Sequence, residues 1–238
     1  MALETPVDLA KRLEELERQL ARKTEALQAA SDEFQSVIYT ITHDFRAPLR
    51  AILASCMILK EDYGDKIEAD GRVELDRQAN SVKKLNELLE DLLKVSRLAK
   101  NEVVCTKLSL ADVAGRAAAE VGLAPEALEV SGGTVVADAT LLQVALRELM
   151  SNSVKFGGSA LKVWAEGDKV FVRDNACGFE QERAAKIFLP FERLHGKEFP
   201  GTGIGLALVK RSAELQGGTV GCESRLGEGS LFWVDLSR

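Results

Sequence analysis

Four groups of residues in this 238-residue chain have the types and spacing to do chemistry. The first is His43 with Asp44 beside it. An imidazole with an ordinary pKa near ~6.5 is largely neutral at pH 7, so one ring nitrogen can act as a nucleophile. A carboxylate on the other nitrogen would fix the tautomer and stabilise the cation formed on attack. The second is Glu148, Asn152 and Lys155, spaced four and three apart, so that a helix brings a carboxylate, an amide oxygen and an ammonium to one face. A magnesium nucleotide needs those types: an oxygen ligand for a hard cation, a positive charge for phosphate and a base. The third is Asp174-Asn-Ala-Cys-Gly178, where a carboxylate can accept an amino group of adenine and glycine permits close backbone approach. The fourth is Gly201-Thr202-Gly203-Ile-Gly205, whose backbone N–H groups at the start of a helix can face phosphate. Singly, each has a plainer reading: a surface histidine, a solvated helix face, a strand-ending turn, a flexible hinge. The glycine cluster is neither a P-loop nor a complete dinucleotide fingerprint.

The elements that must position these groups are legible in the hydrophobic pattern. Leu13, Leu20, Leu27, Phe34 and Ile41 recur every seven residues, with Leu9, Leu16, Ala30 and Val37 between them and Lys23 as the one polar break. This predicts a coiled coil starting at Thr5-Pro6. The seam then steps by fours through Val37, Ile41, Phe45 and Leu49, a stutter that unwinds the supercoil locally. With Ile41, Phe45, Leu49 and Ile52 as the inward stripe, His43 faces solvent and shares its side with Arg46, Ala47 and Arg50. Pro48 cannot donate to the carbonyl of Asp44, which predicts a kink or loosening there. Tyr63-Gly64-Asp65 reads as the helix end. A second helix carries Val82, Leu85, Leu89 and Leu92. Two such helices cannot bury their stripes alone, so two copies are expected to form a four-helix bundle, making a homodimer.

Beyond Asn101 glycine becomes frequent and short β-like runs alternate with helical ones. Strand pairs are predicted around Glu166-Gly167-Asp168 and around Gly227-Glu228-Gly229, and helices over 138–156 and 205–216. The pattern predicts α plus α/β architecture, with helices layered on a mixed, mostly antiparallel sheet. The net charge of −6 gives no drive toward nucleic acid or an anionic membrane. No apolar run reaches the ~18–20 residues of a membrane span. Cys56, Cys105, Cys177 and Cys222 lie far apart, which argues against a zinc site or disulfide framework and fits a reduced, cytoplasmic setting.

The order of these groups closely resembles the transmitter region of two-component sensor histidine kinases. His43-Asp-Phe-Arg-Ala-Pro48-Leu-Arg is similar to the H box and Glu148 to Phe156 to the N box. Asp174 to Gly178 resembles the G1 box, and Ile187-Phe188-Leu-Pro-Phe191-Glu-Arg-Leu the F box. Gly201 to Gly205 resembles the G2 box, and Gly227 to Phe232 the last glycine motif. The wording around His43, and Phe191-Glu-Arg-Leu-His195, resembles the phytochrome-like group.

The resemblance implies a coiled-coil signalling linker over 1–38, a dimerisation and histidine phosphotransfer domain over 39–100, and a Bergerat-type ATP-binding α/β sandwich over 107–238. His43 would take the γ-phosphoryl of ATP, with Asp44 as the adjacent base. Asn152 would hold Mg²⁺, Glu148 would occupy the position of a base in related ATPases, and Lys155 would contact phosphate. Asp174 would read adenine, with Gly178 and Ser230 around it. Gly201, Thr202, Gly203 and Gly205 would close on the phosphates, and residues 179–200 would form a lid docked on the bundle through Phe188 and Phe191. The phosphoryl would pass to an aspartate of a response regulator receiver domain, and a sensor module is expected upstream. Two departures stand out. Ala47 occupies a position where many relatives carry Thr or Asn, which predicts weak phosphatase activity. Ala176 stands where the G1 box usually has glycine. The rival readings are an ATPase of the same nucleotide fold, and a coiled-coil scaffold that only binds ATP.

Overall fold

The computed structural model describes residues 6–98, 102–194, 199 and 201–237. Thr5, residues 99–101, and His195, 196–198 and Pro200 of the expected lid lie outside that set. The chain forms a long helical hairpin followed by an α/β domain.

Helix α1 spans Pro6–Tyr63, 58 residues, with Pro48 inside it. Proline at the first position costs nothing there, because that N–H has no intrahelical acceptor. Pro48 does not end the helix: α1 runs through it as one element. A short 3-10 turn, Gly64–Lys66, reverses the chain into α2, Ala69–Leu98. Charged pairs bridge the two helices of the hairpin, with Lys60 Nζ 2.5 Å from Asp76 Oδ1 near the turn and Arg46 on Glu90 further along.

The apolar stripe of α1 divides between two faces. Ile38, Thr42, Leu49 and Cys56 are buried within the hairpin, together with Val82 and Leu93 of α2. Ile41, Phe45, Ile52 and Leu59 are exposed. Of the expected inward set, only Leu49 is buried in the single chain. Residues 38, 42, 49 and 56 follow the three-and-four spacing of one helical face, and the neighbouring face at 41, 45, 52 and 59 is left for another partner.

The α/β domain opens with β1 (Thr106–Ser109), which pairs antiparallel with β3 (Thr134–Ala137). Between them lie α3 (Leu110–Glu120), capped by Ser109 Oγ accepting from Asp112 N, and β2 (Leu128–Ser131). Helix α4 (Ala139–Lys155) begins at Asp138, whose carboxylate accepts from the N–H groups of Thr140 and Leu141. Then come β4 (Leu161–Glu166), β5 (Lys169–Asp174), α5 (Gly205–Leu215), β6 (Thr219–Arg225) and β7 (Gly229–Asp235). The five-stranded sheet has the order β2-β4-β5-β7-β6. Only β2 and β4 run parallel.

Alternate residues of these strands turn to one side: Leu161 and Val163, Val170 and Val172, Phe232 and Val234 are buried. They meet Leu142, Leu146, Leu149 and Met150 of α4, Leu110 and Val113 of α3 and Val209 of α5 in one core. The opposite sheet face carries the stacked rings of Trp164 and Phe171, 5.1 Å apart. Asp174, the last residue of β5, belongs by parity to the buried face. It therefore ends up beneath the helices rather than in solvent.

Candidate active site

His43 stands on α1 with its side chain 71% exposed. Its Nδ1 lies 3.2 Å from Asp44 Oδ1, and the ring of Tyr39, one turn earlier, lies roughly parallel to it at 6.4 Å. The carboxylate is thus on one ring nitrogen, and Nε2 is the nitrogen presented outward. The pair is built by local geometry alone, because residue 44 follows residue 43 by about 100° around the helix.

The other site residues converge on a cavity of about 630 Å³ in the α/β domain. Glu148, Asn152 and Lys155 reach it from α4, Asp174 and Gly178 from the end of β5 and its turn, and Ser230 from β7. Gly201, Thr202, Gly203 and Gly205 form its other side. Every site residue expected from the sequence lines this one cavity except His43 and Asp44, which do not reach it.

Asp174 sits at the floor, 7% exposed. Burial pushes its carboxyl above the usual range, opposed by hydrogen bonds from the backbone N–H groups of Ala176 (2.9 Å) and Ser230 (3.1 Å) and by the charge of Arg173. Both backbone bonds end on Oδ1, so Oδ2 is the oxygen a ligand's amino group would use. Ala176 therefore contributes through its N–H, which glycine and alanine supply alike. Gly178 has a structural role beside its place in the cavity lining. Its φ is +63°, and a Cβ there would lie 2.0 Å from the carbonyl oxygen of Arg225. It makes room for the β6–β7 hairpin while it lines the cavity.

Lys155 ends α4 with its ammonium 4.8 Å from the centre of the Phe156 ring. Burial, then the charge of Arg193, lowers its pKa. Arg193 also lines the cavity, so two cations face the same space. On the side of Glu148, α5 begins with Gly205, at which a Cβ would lie 3.0 Å from Glu148 Oε2 and 3.7 Å from Asn152 Nδ2. The start of an eleven-residue helix, with its outward N–H groups, is thereby pressed against the carboxylate and amide of α4.

The hairpin supplies the remaining wall. Asn86, Glu87, Glu90, Asp91 and Lys94 of α2 line the cavity. Thr202 donates its hydroxyl to Asp91 Oδ2, and Lys94 donates to Asp91 Oδ1 at 2.7 Å. Glu90 carries Arg46 of α1, one turn from His43. The expected docking through Phe188 and Phe191 takes another form. Phe188 packs on the α/β domain's own core. Phe191 is 54% exposed with φ at +65°, an unusual value for a bulky residue. Thr202 makes a polar contact with the hairpin, and α5 packs against α2 beside it.

Two family models match. The His Kinase A (phospho-acceptor) domain covers residues 35–101, and the histidine kinase-, DNA gyrase B- and HSP90-like ATPase covers residues 137–238. The chain belongs to the sensor histidine kinase transmitter regions. Cyanobacterial phytochrome B of Nostoc is 31% identical over 92% of this chain and 31% of its own length. Phytochrome-like protein Cph1 of Synechocystis is 29% identical over 92% of this chain and 31% of its own. Circadian input-output histidine kinase CikA of Synechococcus elongatus is 32% identical over 88% of this chain and 30% of its own. The chain thus spans about a third of the length of these curated relatives. Among solved structures, full-length ShkA in complex with AMPPNP matches with a TM-score of 0.56 and 26% identity, over 83% of this chain and 44% of that one. The Acinetobacter baumannii histidine kinase AdeS shares the fold at a TM-score of 0.53 and 21% identity, over 81% of this chain and 95% of that one.

Sequence reasoning missed several residues of this site. Ser224 accepts from Phe179 N and shares a hydrogen bond with Ser230, tying the turn after β5 to the last hairpin. Arg193 lies inside the stretch that resembles the F box, but was given no part in the cavity. The acidic wall of α2 carries no local signature, because it becomes part of the cavity only when two domains meet.

Proposed function

We propose that this chain is a protein histidine kinase core in which His43 takes the γ-phosphoryl of Mg-ATP and passes it to an aspartate of a response regulator receiver domain. The observation that carries the reading is the pairing of an outward imidazole, held by Asp44, with a separate cavity whose lining matches a nucleotide group by group. Residues 1–38 act as signalling linker, 39–100 as dimerisation and phosphotransfer domain and 107–238 as ATP-binding domain. Two copies pair through the exposed face of α1 at Ile41, Phe45 and Ile52. Among the described residues no helix is long and apolar enough to cross a membrane, and we place the kinase core in the cytoplasm.

Asp174 Oδ2 accepts the amino group of adenine. Lys155 and Arg193 face the phosphates, and Gly201 to Gly205 give backbone N–H groups to them. The residues present fit a magnesium ion of the nucleotide-borne kind. Among the described residues no cluster of three or more His, Cys, Asp or Glu side chains makes a protein cage, and Asn152 offers the single amide oxygen that such an ion takes beside phosphate and water. That ion, when bound, neutralises phosphate charge. His43 attacks through Nε2: the N–P bond forms, the bond from phosphorus to the bridging oxygen breaks, and ADP leaves with the electron pair. Asp44 holds the Nδ1 proton and stabilises the imidazolium. Positioning dominates such transfers. Because His43 does not line the cavity, transfer requires release of the Thr202–Asp91 contact and a swing of the α/β domain. Ala47, exposed beside His43, offers only a methyl group, so phosphatase activity toward the partner is weak.

Glu148 in the cavity favours one second reading, an ATPase that gives the phosphoryl to water. The fate of the γ-phosphate decides. With γ-labelled ATP and Mg²⁺, the kinase reading expects acid-labile, base-stable label on the protein that vanishes in His43→Gln. Label released wholly as inorganic phosphate, or retained in His43→Gln, would overturn it.

A further inference from the structure

Glu148 is held from behind by a chain of side chains that no motif includes. Arg147, the preceding residue of α4, donates to Glu148 Oε1 through both Nε (3.3 Å) and Nη2 (2.7 Å). Neighbouring residues on a helix point about 100° apart and do not ordinarily meet, so Arg147 leans across to make this contact. Its Nη1 lies 3.6 Å from Glu120 Oε2 at the end of α3. Glu120 in turn accepts from Gln143 Nε2 at 2.5 Å, and Gln143 accepts from Arg116 Nε at 3.2 Å. The chain runs from the outer surface of the α3–α4 pair to the cavity. Its last member is a carboxylate whose two oxygens have become unequal. Oε1 is spent on the guanidinium, and Oε2 faces Gly205 and Asn152, where a Cβ on Gly205 would meet it at 3.0 Å.

We propose that Arg147, braced by Glu120, is a positioning residue that aims Glu148 Oε2 at the reacting end of the nucleotide. Arg147 is not among the cavity-lining residues, so it touches neither nucleotide nor nucleophile. It acts through Glu148, and this rests on the kinase reading given above. Two effects follow from elementary chemistry. A glutamate side chain loses rotamer entropy when fixed, and Arg147 fixes it before the nucleotide arrives. The guanidinium also offsets one of the two carboxylates, leaving a single negative charge on the Glu120–Arg147–Glu148 trio near a phosphate-binding space.

The test uses the full chain with Mg-ATP, following both protein-bound label and released inorganic phosphate against ATP concentration. Arg147→Met is expected to lower kcat about tenfold while KM for ATP moves less than about threefold, the split of an interaction realised in the transition state. Arg147→Lys, which keeps the charge but not the fork, recovers part of the loss. The decisive variant is Arg147→Met/Glu148→Gln, expected within about twofold of Glu148→Gln alone, because residues acting as one unit are non-additive. A merely structural Arg147 would give losses that multiply. That result, or Arg147→Met at the wild-type rate, or Glu148→Gln at the wild-type rate, overturns the proposal while leaving the kinase reading intact. Wild-type chain that yields neither label nor phosphate overturns both. Should Arg147→Met fail to fold, the same cycle run with Glu120→Gln and Glu148→Gln decides, with non-additive losses supporting the proposal and multiplying losses ending it.

Discussion

The two halves of the molecule bury their apolar residues in different ways. In the α/β domain, Leu142, Leu146, Met150, Val163 and Val170 are wholly enclosed by their own chain. In the hairpin, Phe34, Phe45 and Ile52 stand 64%, 51% and 45% exposed, although the pattern that holds them is as regular as any in the sequence. The α/β domain has three helices to lay on one sheet face and can close a core alone. The hairpin has only two, and two amphipathic helices satisfy each other along one stripe while leaving the next uncovered. One half closes its core within its own chain, and the other leaves an apolar stripe uncovered. On the proposed kinase reading the chemistry divides in the same way: the nucleotide groups lie in the α/β domain and the nucleophile on the hairpin.

The largest expected effect sharpens that division. Ile52→Ser removes one apolar side chain from each copy, at about 1.5–3 kcal/mol apiece. Dimer dissociation should rise by two or more orders of magnitude in sedimentation equilibrium, while nucleotide affinity stays unchanged; an unaltered dimer would mean that this face is not the interface. Next comes Leu146→Ala, expected to cost the α/β domain about 3 kcal/mol. In urea it should unfold at lower concentration with no change in the association constant.

A third prediction concerns a conflict between stability and function at Asp174. Burial raises its folded-state pKa above the ordinary 3.8. The ionised group thus costs stability at neutral pH, and that cost fades as pH falls through the raised value. Without nucleotide, Asp174→Asn should resist urea better than wild type at pH 7, and the gap should close below pH 4. Nucleotide affinity should fall about thirtyfold by calorimetry, since an amide nitrogen replaces the acceptor facing adenine. An Asp174→Asn chain that is less stable and binds as well would break the account of the cavity floor. The smallest effect is at the seam between the halves. Thr202→Val removes the hydroxyl that donates to Asp91 and should cost the docked arrangement about 1 kcal/mol. Faster hydrogen exchange across residues 201–206 would register it, and unchanged exchange would mean that the contact does not hold the domains together.

Much of this was legible in the sequence, for a physical reason. Glu148, Asn152 and Lys155 meet because a helix has a fixed period, and Asp174 reaches the cavity because a strand has one too. The helix over 138–156 and the helix end at Gly64 were readable in the same way, though the cap at Asp138 was not. The division of α1 was not. Ile41 and Thr42 are adjacent, and nothing in their types says that the hydroxyl is buried within the hairpin while the isoleucine is exposed. Asp91 and Lys94 were invisible as cavity residues because their role depends on how two domains dock. Ser224 and Arg147 act through partners distant in the chain or on an unusual neighbour contact, neither of which has a periodic signature. Strands β1 and β3, four residues each, are too short to announce themselves.

The central claim is that one outward imidazole on the hairpin receives a phosphoryl group from the cavity of the α/β domain. The chain has two histidines, His43 and His195, so the site can be mapped without ambiguity. After reaction of the intact protein with Mg-ATP, digestion at alkaline pH and mass spectrometry should find the added phosphoryl on the peptide containing His43 and none on the peptide containing His195. Phosphoryl on His195, or on neither while ATP is consumed, would contradict the account.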